Sequence, residues 1–321
     1  MDGTQVRNAQ DSSSDIGVRF APLLIASGIG LWTACSALFA PALVKIPPLS
    51  LFAVILLITV LPCALLVLIH RRELSQLGSR SWLALIAGSW SGPVLGMLCF
   101  RYAAAGQSNM TATVLVKNLQ PLIVLALAYL SLREKPNLRV WLAIVLTISG
   151  TYLVSFGFTP VSNEQGVFDV TPIAYGVLAT ILGALSTVGN RAVARSLSAI
   201  LLTSLRCLVS AALVIPLAMF LEPNDFQFGN IVGTFGNGWL GFVMVSLIAS
   251  LFGSVLYYRG LKNTAAVGAA IAESVAPLTA YVVTWVGLGA TASNGQLLGV
   301  GSIFLAILIV QPRNLSLSVA V

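Results

Sequence analysis

Of the 321 residues, 57% are hydrophobic and only 8% charged, with a mean hydropathy of +0.94. A water-soluble domain of this length cannot carry such a composition, so the solvent for most of the chain is lipid. The net charge of +7 sits in short connections between apolar stretches and reads as a membrane-orientation signal, which removes nucleic acid as a partner.

In chain order, residues 1–19 are polar, with Ser12, Ser13 and Ser14 between Asp11 and Asp15, and read as a disordered cytoplasmic tail without the apolar centre of a cleavable signal. A membrane-spanning helix needs about 20 apolar residues. Ten such stretches follow, at approximately 20–42, 48–69, 82–103, 110–131, 138–157, 171–190, 199–221, 237–258, 265–286 and 295–312. Residues 158–170 read as an extracytoplasmic linker and 313–321 as a second cytoplasmic tail. Strand-like alternation of the barrel kind is absent from the apolar stretches. On this map 13 of the 17 basic residues fall on the side that carries both termini, among them Arg71, Arg72, Arg133, Arg139, Arg191 and Arg195. The opposite side has Lys45 and Arg101 near helix ends, and loops holding Glu164, Asp169, Glu222 and Asp225 without any Lys or Arg. Lys/Arg excess marks the cytoplasmic face, so both termini are expected there, with a bacterial cytoplasmic membrane as the surrounding bilayer.

The chain also repeats itself. Tyr102 and Pro121 recur 156 residues later as Tyr258 and Pro277, with Gln107, Ser108, Leu115 and Asn118 answered by Asn263, Thr264, Ile271 and Ser274. Pro62 matches Pro216 at an interval of 154. Two repeats of five spans each, 20–157 and 171–312, follow from this register. An odd number of spans inserts the second copy upside down. The expected fold is therefore an all-α membrane protein, with ten transmembrane helices as two inverted five-helix repeats around a central cavity, the architecture of secondary transporters.

Three ionisable residues lie deep inside the predicted spans: Lys117, Arg206 and Glu273. Each costs about 2.5–3.5 kcal/mol at a helix centre and needs a partner or a hydrated cavity. Lys117 and Glu273 occupy the same position of the two repeats, four residues before the paired prolines, so a pseudo-twofold axis sets opposite charges across from one another. Pro121 and Pro277 each free the carbonyl four residues earlier, which belongs to Lys117 and Glu273 respectively. Helical spacing aligns Thr113 and Gln120 with Lys117, and Tyr281 with Glu273. Trp32, Trp90 and Tyr257 are candidate walls, while for each aromatic alone packing is the plainer role. Arg206 divides equally between binding and a structural, snorkelling role.

Gly88, Gly92 and Gly96, and again Gly295 and Gly299, have the spacing of close helix contacts, within one monomer or between two. Four cysteines (Cys35, Cys63, Cys99 and Cys207) at irregular spacing inside spans exclude a disulfide framework and a paired-cysteine metal site. The single histidine, His70, sits at a helix end. No HExxH or phosphate-binding glycine loop occurs, and Gly88 to Gly92 reads GSWSG, with tryptophan where a nucleophile elbow has serine. Neither an enzyme nor a cofactor or metal site is expected.

The stretch from Phe100 to Ser155 resembles the second half of an EamA repeat of the drug/metabolite transporter superfamily, through Tyr102, Pro121, Glu134, Trp141 and Gly150. The second copy follows at Tyr258, Pro277, Gly299 and Ala306, while Gly30, Leu31 and Trp32 resemble the pattern of the first helix. It departs from the pattern at Ala290, where the first copy has Glu134. The resemblance extends from about residue 20 to 311. It implies a ten-helix carrier whose cavity is lined largely by helices 1, 3, 4, 6, 8 and 9.

Charges and resemblance together lead to an alternating-access carrier of a small organic solute. The preferred substrate is an amino acid or similar zwitterion, exported, with Lys117 on its carboxylate and Glu273 either on its ammonium or exchanging a coupling proton. A plain Lys117–Glu273 ion pair between repeats is the structural counterpart of that reading. Two alternatives stand beside it: an anionic metabolite held by Lys117 and Arg206, and a scaffold or sensor that keeps the fold with a filled cavity.

Overall fold

The computed structural model describes residues 20–38, 46–104, 116–134, 136–158, 170–223, 233–289 and 291–310. Every regular element among them is helical. Helix α1 is Ala21–Leu38 and α2 is Pro48–Ile69, followed by a 3-10 turn at Arg71–Gln76. Helix α3a (Ser79–Trp90) passes through a π-helical turn at Ser91–Gly96 into α3b (Met97–Ala104). Helices α4 (Gln120–Leu132) and α5 (Leu138–Phe156) follow. The second half holds α6 (Val170–Ala194) and α7 (Ala199–Leu221). Helix α8a (Trp239–Leu247) runs through another π-helical turn, Ile248–Gly253, into α8b (Ser254–Asn263). Last come α9a (Ala266–Glu273), α9b (Val275–Leu288) and α10 (Asn294–Ile309).

Among the described residues, eight helical runs are long and apolar enough to cross a membrane, and the shorter α4 and α10 are also apolar. The molecule is an integral multi-pass membrane protein. Its outer surface agrees with that: Leu138, Phe220 and Val286 are each more than 80% exposed, which suits lipid and not water. The expected tail at 1–19, residues 159–169 of the expected linker, the tail beyond 310 and the start of the fourth stretch before Val116 lie outside the described residues.

Local chemistry sets where helices begin and end. Pro47 and Pro48 open α2 where a missing N–H costs nothing. The Asn137 side chain accepts from the Val140 N–H at 3.0 Å to start α5, and Ser293 with Gln296 forms a capping box on α10. Arg133, at φ 56°, ends α4 in the left-handed region, and the Glu134 N–H returns to Ala128 O at 3.2 Å.

Four helix pairs pack antiparallel across the two halves. In α2 and α7, Ser50 at the start of one meets Glu222 at the end of the other, and Thr59 Oγ1 lies 3.0 Å from Cys207 Sγ. In α5 and α10, a Cβ on Gly150 would stand 2.9 Å from Ile303, and one on Gly295 would stand 2.9 Å from Gly157. Gly88 and Gly92 of helix 3 face Asn190 and Ser186 of α6, where a Cβ would come within 2.7 and 2.6 Å. Gly28 of α1 lies against Gly253, and Gly260 against Ala21, so α1 and α8b run in opposite directions. Both glycine-spaced motifs thus serve contacts within one chain. Without side chains the backbones approach closely, and dispersion replaces the hydrophobic effect that lipid cannot supply.

The α2–α7 pair carries reciprocal caps. Glu222 accepts the Ser50 N–H at 2.8 Å and the Ser50 hydroxyl at 2.7 Å, closing the start of α2. At the other end Glu73 accepts the Ser198 N–H at 2.9 Å, closing the start of α7. Partial burial of Glu73 pushes its pKa up, but hydrogen bonds from the Ser198 backbone and side chain, with His70 and Lys262 nearby, outweigh this and hold it below the ordinary carboxylate range. A depressed pKa contributes stability above the unfolded value and loses it as pH falls through the folded value. Glu73→Gln is therefore expected to cost about 1 kcal/mol at neutral pH, and to flatten the loss of thermal stability of detergent-solubilised protein as pH falls below about 4.

Candidate functional site

Helices 4 and 9 are interrupted at matched places. Pro121 and Pro277 lack an N–H, so the carbonyls of Lys117 and Glu273 lose their helical donors. Turns at Asn118–Leu119 and at Ser274 precede α4 and α9b. Both tighten: Leu119 N–H bonds Val116 O at 3.0 Å, and Ser274 N–H bonds Ile271 O at 3.2 Å. The breaks place Lys117 and Glu273 at matched points of open backbone.

Glu273 is held by three neutral donors from three elements. Tyr257 OH donates to Oε1 at 2.6 Å, and Gln120 Nε2 donates to Oε2 at 3.1 Å. The Thr187 hydroxyl lies 3.2 and 3.4 Å from the two oxygens. Gly183 leaves room for the Gln120 amide, since a Cβ there would stand 3.3 Å from its Oε1. Lys117 is exposed and one step removed: its Nζ is 3.5 Å from Gln120 Oε1 and 5.7 Å above the Phe100 ring. The connection between the two charges thus runs through the Gln120 amide.

On the far side of Tyr257 and Tyr258, whose rings meet edge-on at 5.0 Å, lies a cavity of about 400 Å³. Its walls come from α1, α2, helix 3, α7 and helix 8. Both π-helical turns contribute, through Pro93 in the first and Ala249, Ser250 and Leu251 in the second. The extra residue of a π-turn releases carbonyls from the ladder, and Trp32 Nε1 takes one of them, Ala249 O, at 2.5 Å. The Trp32 ring stacks on Tyr257 at 5.8 Å, which joins the cavity wall to the Glu273 cluster.

Arg206 is the one charged side chain among the described lining residues. Its guanidinium lies 5.6 Å from the Tyr258 ring centroid. Four buried polar atoms of the lining have no hydrogen-bond partner: Thr203 Oγ1, Arg206 Nε, Ser246 Oγ and Tyr258 OH. Such atoms are rare in folded proteins and need an explanation.

The structure divides the residues expected at one site. Glu273, Gln120, Tyr257 and, through Gln120, Lys117 come together. Trp32 and Arg206 line the cavity, with Arg206 turned inward and not snorkelling outward. Trp90 and Tyr281 belong to neither group: Trp90 Nε1 donates to Val209 O at 2.8 Å and Tyr281 OH to Ser155 O at 3.1 Å, so their polar ends tie helices together. Thr113 lies outside the described residues. Thr187 escaped sequence reading because it sits on helix 6, whose facing depends on packing. Tyr258 had a signal in its repeat match, but its counterpart Tyr102 is 56% exposed against Tyr175.

At the basic end of the bundle a second buried network closes the helix ends. Glu134 Oε2 accepts the Ala266 N–H at 2.9 Å, capping α9a. Its Oε1 faces Arg191 and Arg195 at 3.8 and 3.6 Å. Arg191 Nη1 donates to Leu261 O and Lys262 O at 2.8 and 2.6 Å, at the carbonyl end of α8b.

A helical membrane bundle with broken helices at matched positions and a cavity between its helices that carries polar groups is the build of a membrane carrier. The family model described as EamA-like transporter family matches residues 19–156 and 170–311. The chain belongs to that family, within the drug/metabolite transporter superfamily. It is 26% identical over 208 residues to the uncharacterized transporter sll1164 of Synechocystis sp., covering 62% of this chain and 56% of that one. It is 27% identical over 222 residues to the riboflavin transporter ImpX of Fusobacterium nucleatum, covering 68% of this chain and 71% of that one. A protein of known crystal structure shares the fold at a TM-score of 0.70 and 18% identity, over 91% of this chain and 97% of that one.

Removing one partner of a buried ion pair typically costs about 3–5 kcal/mol. Glu134→Ala strands Arg191 and uncaps α9a, so thermal denaturation in detergent is expected to show a loss on the order of 3 kcal/mol. Glu134→Gln, whose amide oxygen still accepts the Ala266 N–H, is expected to lose distinctly less.

Proposed function

We propose that this protein is a secondary carrier of a small organic solute, working by alternating access between two inverted five-helix repeats. The observation that carries the reading is the cavity: about 400 Å³, within the range of small-molecule sites, with four buried polar atoms left without partners. A scaffold or sensor would fill that volume with bulky apolar side chains. The inverted arrangement is supported by the antiparallel pairs α2 with α7 and α5 with α10, which join equivalent helices. In this reading the membrane is a bacterial inner membrane and both termini are cytoplasmic, an orientation that the Lys/Arg bias of the connections supports.

In this reading Glu273 is the proton-exchanging group. Tyr257, Thr187 and Gln120 donate to it, with Lys117 reached through Gln120, and gaining or losing a proton rearranges these hydrogen bonds on helices 4, 6, 8 and 9 together. Proton entry from outside then drives export of the solute. The zwitterion reading sets Lys117 and Glu273 on the two charges of an amino acid. The anion reading has a specific observation in its favour: Arg206 faces the cavity without a lining carboxylate, whereas the Glu273 oxygens already accept from three protein donors.

Counterflow and pH-jump uptake of labelled metabolites in proteoliposomes test the carrier reading. Wild-type flux is expected to respond to an imposed pH gradient, and Glu273→Gln to lose that response. The double exchange Lys117→Glu with Glu273→Lys is expected not to restore flux, because the contact passes through Gln120. Vesicles without flux of any metabolite in a cell extract would return the scaffold reading.

A further inference from the structure

We propose that the cavity is built for a monoanionic organic acid with a flat apolar body, seated head-first at Thr203, Arg206 and Tyr258. The proposal rests on the carrier reading and adds the substrate class.

The polar end is specific in kind. Thr203 and Arg206 stand one helical turn apart on α7, and Tyr258 lies under the guanidinium from helix 8. Each has a buried polar atom without a partner. Hydroxyl and guanidinium groups can all donate, and guanidinium can only donate, so the missing ligand group is an acceptor. The Arg206 guanidinium lies 5.6 Å from the Tyr258 ring centroid, and its planar fork of N–H groups matches the two oxygens of a carboxylate. A single guanidinium matches one negative charge. A dianionic phosphate calls for a second cation, and among the described lining residues there is none. A free ammonium calls for a carboxylate, and none lines the cavity among the described residues.

Hydroxyls of Ser36, Thr59, Ser246 and Ser250 are scattered over the rest of the wall, but its large side chains are apolar or aromatic: Trp32, Phe52, Ile55, Met97 and Leu251. A small hydrophilic solute would leave these surfaces wet and the orphaned donors distant from it, whereas a flat ring fills the space beside Trp32 and Phe52. Carboxylate recognition at Arg206 is thereby separated from the proton site at Glu273. The adjacent residues Tyr257 and Tyr258 link the two, one bonded to Glu273 and the other facing Arg206.

The test uses the full chain in lipid nanodiscs, with binding read by quenching of tryptophan fluorescence and by isothermal titration. The probes are phenylacetate, its neutral isostere phenylacetamide, the cation phenethylamine, the zwitterion phenylalanine and phenyl phosphate. Phenylacetate is expected to bind at least tenfold more tightly than each of the others. Arg206→Gln should lose at least tenfold in phenylacetate affinity. Tyr258→Phe and Thr203→Val should each lose severalfold while keeping the wild-type melting temperature, so the prediction survives a folding defect in the arginine variant. Tyr102→Phe, the repeat counterpart outside the cavity, should bind as wild type. Absent phenylacetate binding, equal binding of phenylacetamide, or unchanged affinity in Tyr258→Phe and Thr203→Val overturns the substrate class. If proteoliposomes nonetheless exchange other solutes, the carrier reading stands without it; if they exchange none, both fall.

Discussion

Within lipid a released backbone or side-chain polar group must find its partner inside the protein, and this requirement organises the whole molecule. Pro121, Pro277 and the π-helical turns at Ser91–Gly96 and Ile248–Gly253 all open the helical ladder. At the second π-turn Trp32 donates to Ala249 O, and the cavity lies beside both π-turns, while beside the break before Pro277 the Gln120 amide donates to the Glu273 carboxylate. Helix ends obey the same rule, since Glu73, Glu134 and Glu222 each take the first N–H groups of a helix other than their own. A cap that crosses between helices fixes their relative position as well as ending one of them.

The framework is close to symmetric and the chemistry is not. Matched prolines interrupt helices 2 and 7 in sequence and helices 4 and 9 in structure, and the two π-turns lie 157 residues apart. On this frame Glu273 gathers three donors while Lys117, its counterpart, stays exposed. Tyr258 is buried under Arg206, and Tyr102 is largely open. A duplicated scaffold supplies two similar halves that can move against each other. Divergent side chains then give the two halves different chemistry at matched positions.

The junction at Tyr257 and Tyr258 gives the two sites a common structural element. Consecutive residues of one helix turn point to different faces, so helix 8 presents one phenol to the carboxylate and the other to the guanidinium. Trp32 closes the arrangement by stacking on Tyr257 while lining the cavity. Any movement of helix 8 relative to α1 therefore alters the cavity wall and the hydrogen bonds of Glu273 together.

The sequence by itself determined the environment, the helices and the duplication. Apolar length is a local property, so α2, α5, α7 and α10 begin and end within a few residues of the expected stretches. Register between copies located the paired breaks at Pro121 and Pro277, because proline removes its donor wherever it stands. Charge cost inside lipid singled out Lys117, Arg206 and Glu273 for the same local reason. What the tertiary structure alone decided is which of these meet. Lys117 and Glu273 communicate through Gln120, Thr187 arrives from α6, Trp90 and Tyr281 turn to backbone carbonyls, and Arg206 enters a cavity apart from Glu273. In an almost uniformly apolar helix little amphipathic contrast marks one face as inward, so side-chain direction follows from glycine contacts and interhelix caps that form only when the bundle is assembled.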